Sequence, residues 1–343
     1  MANAQQLGGL VRHLTLVLED GLVDNNSLPI YEMLSNMPNV RSLFIVHQQQ
    51  DVAKHSSTHH ALEKFVHLES ITLQEKEYDP TYTHVSMPTV PNTETFFHTF
   101  LCNALKVHSG RLRALHLYTL LPLDPQLYID IRDKTPNLRA VTFTTNICLD
   151  MEGVFSEATP WASGQSGRLE SLTFLGCDGI HADQFAKNVL CGVYGVWLKD
   201  VQFISSGRYI AHIPKPPSTP VFTSIERMHF DHINAQELSV IALISIEELS
   251  LTCITHDAFC RLPMHLEGDL SRCSGTRLGF MGLRRLRLSP KLATEASWKK
   301  LPAELKAVYK ELRERCLPLR GIQLTLDAVD RRINCGCSDH EWL

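Results

Sequence analysis

No stretch of this sequence approaches the ~18 consecutive apolar residues that a membrane-crossing helix requires. The opening residues, MANAQQLGGLVRHLTLVLEDG, carry neither a basic leader nor a continuous apolar segment, so no secretory signal is expected. Motifs of familiar reaction chemistry are missing too. No G-x-S-x-G sets a nucleophile on a strained elbow, no G-x-x-x-x-G-K-[ST] cradles a phosphate, no H-E-x-x-H pairs zinc ligands and no G-x-G-x-x-G follows a strand. These absences point away from an enzyme and from a bound cofactor.

Cysteine is not scarce, but its ten residues are scattered. Cys102, Cys148, Cys177, Cys191, Cys253, Cys260, Cys273 and Cys316 fall at apolar or turn positions, which suits reduced core thiols and a cytosolic or nuclear protein. Two clusters hold metal-ligating residue types. His55, His59 and His60 lie in a polar stretch read as a solvated loop, and Cys335, Cys337 and His340 supply three zinc donors without a fourth. Neither is read as a metal site. The net charge of −4 hides an asymmetry, since residues 271–320 contain 13 Lys or Arg against 4 Glu. A basic end of this kind raises nucleic acid as a partner, ranked below an acidic protein because no nucleic-acid module accompanies it.

What the sequence does contain is a repeat. In LESLTFLGCDGIHADQFAKNVL, Leu169, Leu172 and Phe174 follow L-x-x-L-x-L, which turns alternate side chains of a short strand inward. Related segments begin at Val11, Val40, Leu68, Leu112, Leu138, Leu198, Ile225, Ile246, Leu283 and Leu319, with steps from 21 to 44 residues. One unit cannot bury its own apolar face; eleven can, by stacking. The expected fold is therefore α/β: a leucine-rich-repeat solenoid with a curved parallel sheet on the concave side and helices and loops on the convex side. A single domain over 1–343 is expected, with a polar tail at 331–343. Asn146 and Cys177 occupy the turn slot of their units, where a side chain satisfies buried backbone groups, but most other units lack such a residue.

Between the strands, Leu28–Met37 reads as a return helix ended by Pro38, and Thr93 as the N-cap of a helix burying Phe96, Phe97, Phe100, Leu101 and Leu105. Trp298–Cys316 reads as a helix whose inward stripe is Trp298, Leu301, Leu305, Val308, Tyr309, Leu312 and Cys316. Residues 75–92 and 205–220 are proline-bearing loops, the second containing Pro217-x-x-Pro220.

Side chains between the inward leucines should point out of the sheet and form the functional surface. Phe44, His116 and Tyr118 offer aromatic anchors at one end; Arg227, His229, Asp231, Glu248, Arg285 and Arg287 offer charge at the other. These nine are the candidate partner-binding residues.

The phrases VRHLTL, LRALHLY, TPNLRAVTF and LESLTFLGCDGI resemble the ribonuclease-inhibitor-like leucine-rich-repeat proteins. Within that class they are similar to the divergent F-box/leucine-rich-repeat proteins of filamentous fungi, over about residues 10–330. The resemblance implies repeats that hold a protein substrate and an F-box that docks on a cullin-ligase adaptor. No F-box is evident: LPIYEML from Leu28 and LPAELKAVYKEL from Leu301 mimic its opening, yet both fit return helices. The expected function is non-enzymatic protein recognition, as a ligase substrate receptor or as a free-standing scaffold or inhibitor. A Cys/His hydrolase is the remaining alternative, and it requires paired Cys and His in a closed pocket.

Overall fold

The computed structural model describes residues 8–18, 34–47, 62–75, 96–118, 125–144, 169–175, 198–204, 221–242, 244–267, 280, 282–288 and 302–326. Each L-x-x-L-x-L segment supplies a strand, and the chain groups into two compact units, Met1–Leu169 and Glu170–Leu343. The first unit contains β1 (His13–Leu18), β2 (Ser42–His47), β3 (Ser70–Glu75), β4 (Ala114–Tyr118) and β5 (Ala140–Thr144), each parallel to the next. The second contains β6 (Ser171–Leu175), β7 (Asp200–Ile204), β8 (Val221–Ile233), β9 (Ile244–Ile254), β10 (Arg285–Leu288) and β11 (Gln323–Thr325), also parallel. Parallel neighbours need a crossover rather than a hairpin. Helices α1 (Phe96–His108) and α2 (Pro125–Lys134) lie on such crossovers in the first unit, and α3 (Ala235–Ile241) and α4 (His256–Glu267) in the second.

The register keeps every inward residue on one rung. Leu43 lies opposite Ile71, Ile71 opposite Leu115 and Leu115 opposite Val141. From Val40 to Leu288, all three L-x-x-L-x-L positions of each unit are at most 5% exposed. Burial of such a side chain stabilises by about 1.5–3 kcal/mol. Helices complete the packing: Phe100, Leu101, Ala104 and Leu105 of α1 are buried, and Tyr128 of α2 meets Phe143 of β5 edge-on at 5.2 Å. In the second unit the next inward rung, two residues further along each strand, carries aromatic rings. Phe174, Phe203 and Phe230 stack in succession, with centroids 5.2 and 4.9 Å apart.

Polar contacts fix this stacking. The Arg12 carbonyl accepts from both Arg41 N–H and Ser42 N–H, the Arg41 carbonyl from Glu69 and Ser70, the Glu69 carbonyl from Arg113 and Ala114, and the Arg113 carbonyl from Arg139 and Ala140. Glu170 repeats the pattern with Lys199 and Asp200. A side-chain clip recurs just before two of these strands. Asn39 donates to Gly9 O at 2.7 Å and Asn137 to Gly110 O at 2.6 Å, each joining one unit to its predecessor. His108 closes the end of α1 through Nε2 on Leu62 O at 2.8 Å. Because a carbonyl only accepts, that nitrogen carries the proton, and burial holds the imidazole below its ordinary pKa. Asn234 caps α3: its Oδ1 accepts from Gln236 N–H and Glu237 N–H, while Glu237 returns a carboxylate to Asn234 N–H.

Two expectations change near residue 320. The helix read as Trp298–Cys316 runs as α5 (Ala303–Glu311), a π turn (Leu312–Cys316) and α6 (Leu317–Arg320). The wider turn shifts the inward face by one residue. Leu319 is thereby 78% exposed, and Arg320 turns back to donate to Leu266 O and Phe280 O at 2.7 and 2.8 Å. The eleventh strand therefore does not begin at Leu319. It follows Gly321, whose φ of 66° lets Ile322 N–H reach Leu317 O, and it places Leu324 opposite Leu286. Of the stripe's described residues, Leu305, Tyr309, Leu312 and Cys316 are buried and Val308 is only half-buried. Asn146, Cys177, Trp298, Leu301, the loops at 76–92 and 205–220 and most of the 28–37 segment lie outside the described residues, although Leu34 and Ser35 are helical.

These contacts rank the positions. Phe203→Ala should lower unfolding free energy by about 3–5 kcal/mol, because it removes the middle ring of a three-ring stack. Leu319→Ala should change it by less than ~0.5 kcal/mol. Urea denaturation followed by tryptophan fluorescence compares them, and a Leu319 variant as damaging as the Phe203 variant would contradict the packing described.

Candidate functional site

Strand alternation turns every second residue of the second unit away from the leucine core, and parallel register lines these residues into two rows. One row runs Asp200, Arg227, Glu248, Arg285, Gln323; the other runs Gln202, His229, Ser250, Arg287, Thr325. Acid and base alternate along the first. Glu248 is only 8% exposed and receives two arginines, Arg285 Nη1 on Oε2 at 3.1 Å and Arg287 Nε against Oε1 at 2.7 Å. The Arg287 Nε–H is not aimed at that oxygen, so this contact is a charge pairing rather than a directed hydrogen bond. Asp200 pairs with Arg227 at 3.7 Å and accepts from Gln202 at 2.9 Å, while His229 Nδ1 and Ser250 Oγ share a hydrogen bond of 3.1 Å.

The carboxylates thus lie beneath and the guanidinium groups over them. Desolvated acids strengthen each pair relative to a fully exposed one. The arginines stay half-exposed, so each guanidinium group meets both an acid and solvent. This arrangement suits recognition of acceptor groups by a face already ordered before binding.

In the first unit the corresponding row is Thr15, Phe44, Thr72, His116, Thr142, with Val17, Val46, Gln74 and Tyr118 beside it. Phe44 and His116 flank Thr72, and Tyr118 lies two residues beyond His116. His116 Nδ1 bonds Thr142 Oγ1 at 2.9 Å, and burial lowers its pKa, which keeps the ring neutral at pH 7. Thr142, expected to face outward, is only 2% exposed under this contact.

The nine candidate residues therefore divide. Phe44, His116 and Tyr118 belong to the first unit; in the second, Arg285 and Arg287 gather on Glu248, Arg227 pairs with Asp200 and His229 with Ser250. Glu248 serves that cluster as an internal counter-ion rather than as exposed charge. Asp231 stands in β8, and its side chain lies outside the described residues, as do His55, His59, His60, Cys335, Cys337 and His340.

Cys and His do pair, as the hydrolase alternative requires, but on helix faces. His98 Nε2 lies 4.0 Å from Cys102 Sγ on α1, four residues apart. On α4, His256 and Cys260 repeat that spacing and meet Glu304 of α5, with the donor atoms of all three within 4.8 Å. This nitrogen, sulfur and oxygen set is of a kind that divalent zinc accepts. Sequence reading missed it because Glu304 comes from a distant helix; only the i, i+4 spacing of His256 and Cys260 was visible. Burial, then Glu304 and then Asp257, push the Cys260 thiol above its ordinary pKa, opposite to the shift that activates a nucleophilic cysteine.

Two measurements probe these sites. Glu248→Ala should cost about 1–2 kcal/mol, and much of that loss should vanish in an Arg285→Ala/Arg287→Ala background, where no cation is stranded; an unchanged cost in that background would separate the three residues energetically. Peptide-resolved alkylation of Cys260 against pH should show an inflection above the ordinary thiol range that Glu304→Gln moves downward. An inflection at or below that range in the wild type would contradict the geometry.

Comparison with protein-family models finds no match, and comparison with the curated proteins finds none either. The paired strand face is thus what the chain itself offers as a basis for a functional reading.

Proposed function

We propose that this chain is a leucine-rich-repeat recognition module that binds another protein, without catalysis, through the outward face of its strands. The observation that supports the reading is the cluster Arg227, Glu248, Arg285, Arg287, His229 and Ser250. Glu248 holds Arg285 and Arg287, Asp200 holds Arg227, and His229 bonds Ser250, each pairing joining neighbouring strands. Such a face presents arginine, a frequent interface hot-spot type, with little ordering left to do on binding. Among the described residues the Cys and His pairs are on helix faces, and the one whose thiol is shifted is shifted against nucleophilic use.

Within this reading the protein acts as a substrate receptor of a cullin ligase if an adaptor-binding F-box accompanies the repeats, and as a scaffold or inhibitor otherwise. A pull-down with the purified ligase adaptor separates these two roles.

Affinity purification with the wild type and with Arg285→Glu/Arg287→Glu tests the recognition face. A protein retained by the wild type should bind the double variant at least about tenfold more weakly, the scale of a lost hot spot. Partners retained equally by both proteins would place recognition elsewhere.

A further inference from the structure

Helix α4 opens with the residues HDAFC, in which His256 and Cys260 stand four apart and so share one face of the helix. Thr255 fixes that first turn: its Oγ1 accepts from Ala258 N–H at 3.2 Å and its carbonyl from Phe259 N–H at 2.9 Å. Helix α5 packs against α4 and brings Glu304, from its own first turn, to the pair. The donor atoms of His256, Cys260 and Glu304 then lie within 4.8 Å of one another, with His256 Nε2 at 3.8 Å from Glu304 Oε2. Among the described residues this is the one place where three potential metal donors converge.

The core, rather than the trio itself, sets these positions. Ala258, Phe259 and Leu262 of α4 and Leu305 of α5 are buried beside the three donors, whereas His256 and Glu304 are exposed and Cys260 is half-buried. The two helices therefore fix the backbone, the side chains keep room to close, and an ion can enter from solvent. Donor atoms around a tetrahedral zinc, bonded at about 2.0–2.3 Å, sit roughly 3.3–3.8 Å apart. The separation of His256 from Glu304 already matches that spacing, and no other gap has to close by more than about 1.5 Å.

We propose that His256, Cys260 and Glu304 bind a zinc ion that staples α5 onto α4, with water in the fourth position. Donor chemistry selects the metal. Calcium and magnesium take oxygen ligands, whereas imidazole, thiolate and carboxylate together suit zinc. Charge agrees: one thiolate and one carboxylate balance the dication, the neutral imidazole adds nothing, and the thiol proton passes to solvent on binding. Asp257, next to His256, is engaged by Arg261 at 3.2 Å, which leaves the fourth place to water. The His98 and Cys102 pair on α1 has the same spacing, but no third donor joins it among the described residues.

The test titrates the full chain with Co²⁺, whose bond to a thiolate gives a near-ultraviolet charge-transfer band, and then adds Zn²⁺, which such sites prefer. It is run in a Cys335→Ser/Cys337→Ser background, so that the C-terminal thiols cannot supply the band. One Co²⁺ per chain should bind and be displaced by Zn²⁺. Cys260→Ser should abolish the band, and His256→Gln and Glu304→Gln should each weaken binding at least about tenfold. His98→Gln and Arg285→Glu/Arg287→Glu should bind as the background does, so the zinc site and the strand face fail or succeed separately. Metal-free thermal midpoints equal to the background show that the variants are folded. Zn²⁺ should also slow amide exchange in α5 of the background protein but not of Glu304→Gln. Absence of the band, a band that survives Cys260→Ser or is lost with His98→Gln, or affinities unmoved by both His256→Gln and Glu304→Gln would overturn the site, and α5 exchange indifferent to Zn²⁺ would overturn the staple.

Discussion

One carbonyl per repeat governs much of this molecule. At the second position of a unit it accepts from the next unit, two N–H groups at Arg12, Arg41, Glu69, Arg113 and Glu170 and one at Lys199, Glu247 and Arg284, and so sets the parallel register of each strand on its neighbour. A slip by one residue would turn the buried leucines outward. With register set, the inward positions stack into the aliphatic and phenylalanine rungs, the outward positions line up into rows, and the second positions form a charged rim. Core, face and rim are three consequences of a single hydrogen-bonded step.

The two units use that step differently. In the second, charges lie on the strand face, where partly covered carboxylates at Asp200 and Glu248 hold half-exposed arginines. In the first, the face carries Phe44, His116 and Tyr118, and the arginines move to the rim. Covered pairs are worth more than exposed ones, so the second unit's charges contribute to order in the sheet. Arg113 at the rim is 59% exposed, and an exposed pair such as its contact with Glu69 contributes little to stability.

Much of the fold was legible because an L-x-x-L-x-L segment carries its own inside and outside. Leu172 and Phe174 could be assigned to the core from alternation alone, and both are fully buried. The last unit was not legible in the same way. Leu319, Ile322 and Leu324 fit the pattern, yet a π turn upstream rotates the helix so that Arg320 faces inward and Leu319 outward. Whether a turn holds four or five residues depends on packing against α4, which local pattern does not encode. The meeting of His256 and Cys260 with Glu304 and the Asn39 and Asn137 clips were hidden for a related reason: each joins residues far apart in the chain.

The sequence by itself determined the strand positions, their inward residues, their outward candidates and the charged second position of every repeat, since these follow from a period of two within a longer repeat. Only the tertiary structure decided which charges meet. That Glu248 lies under Arg285 and Arg287, that Glu69 stands apart at 3.9 Å from Arg113, and that Glu304 comes to Cys260 depend on which strand or helix neighbours which. Electrostatic energy depends on distance through space, and distance along the chain carries little of that information.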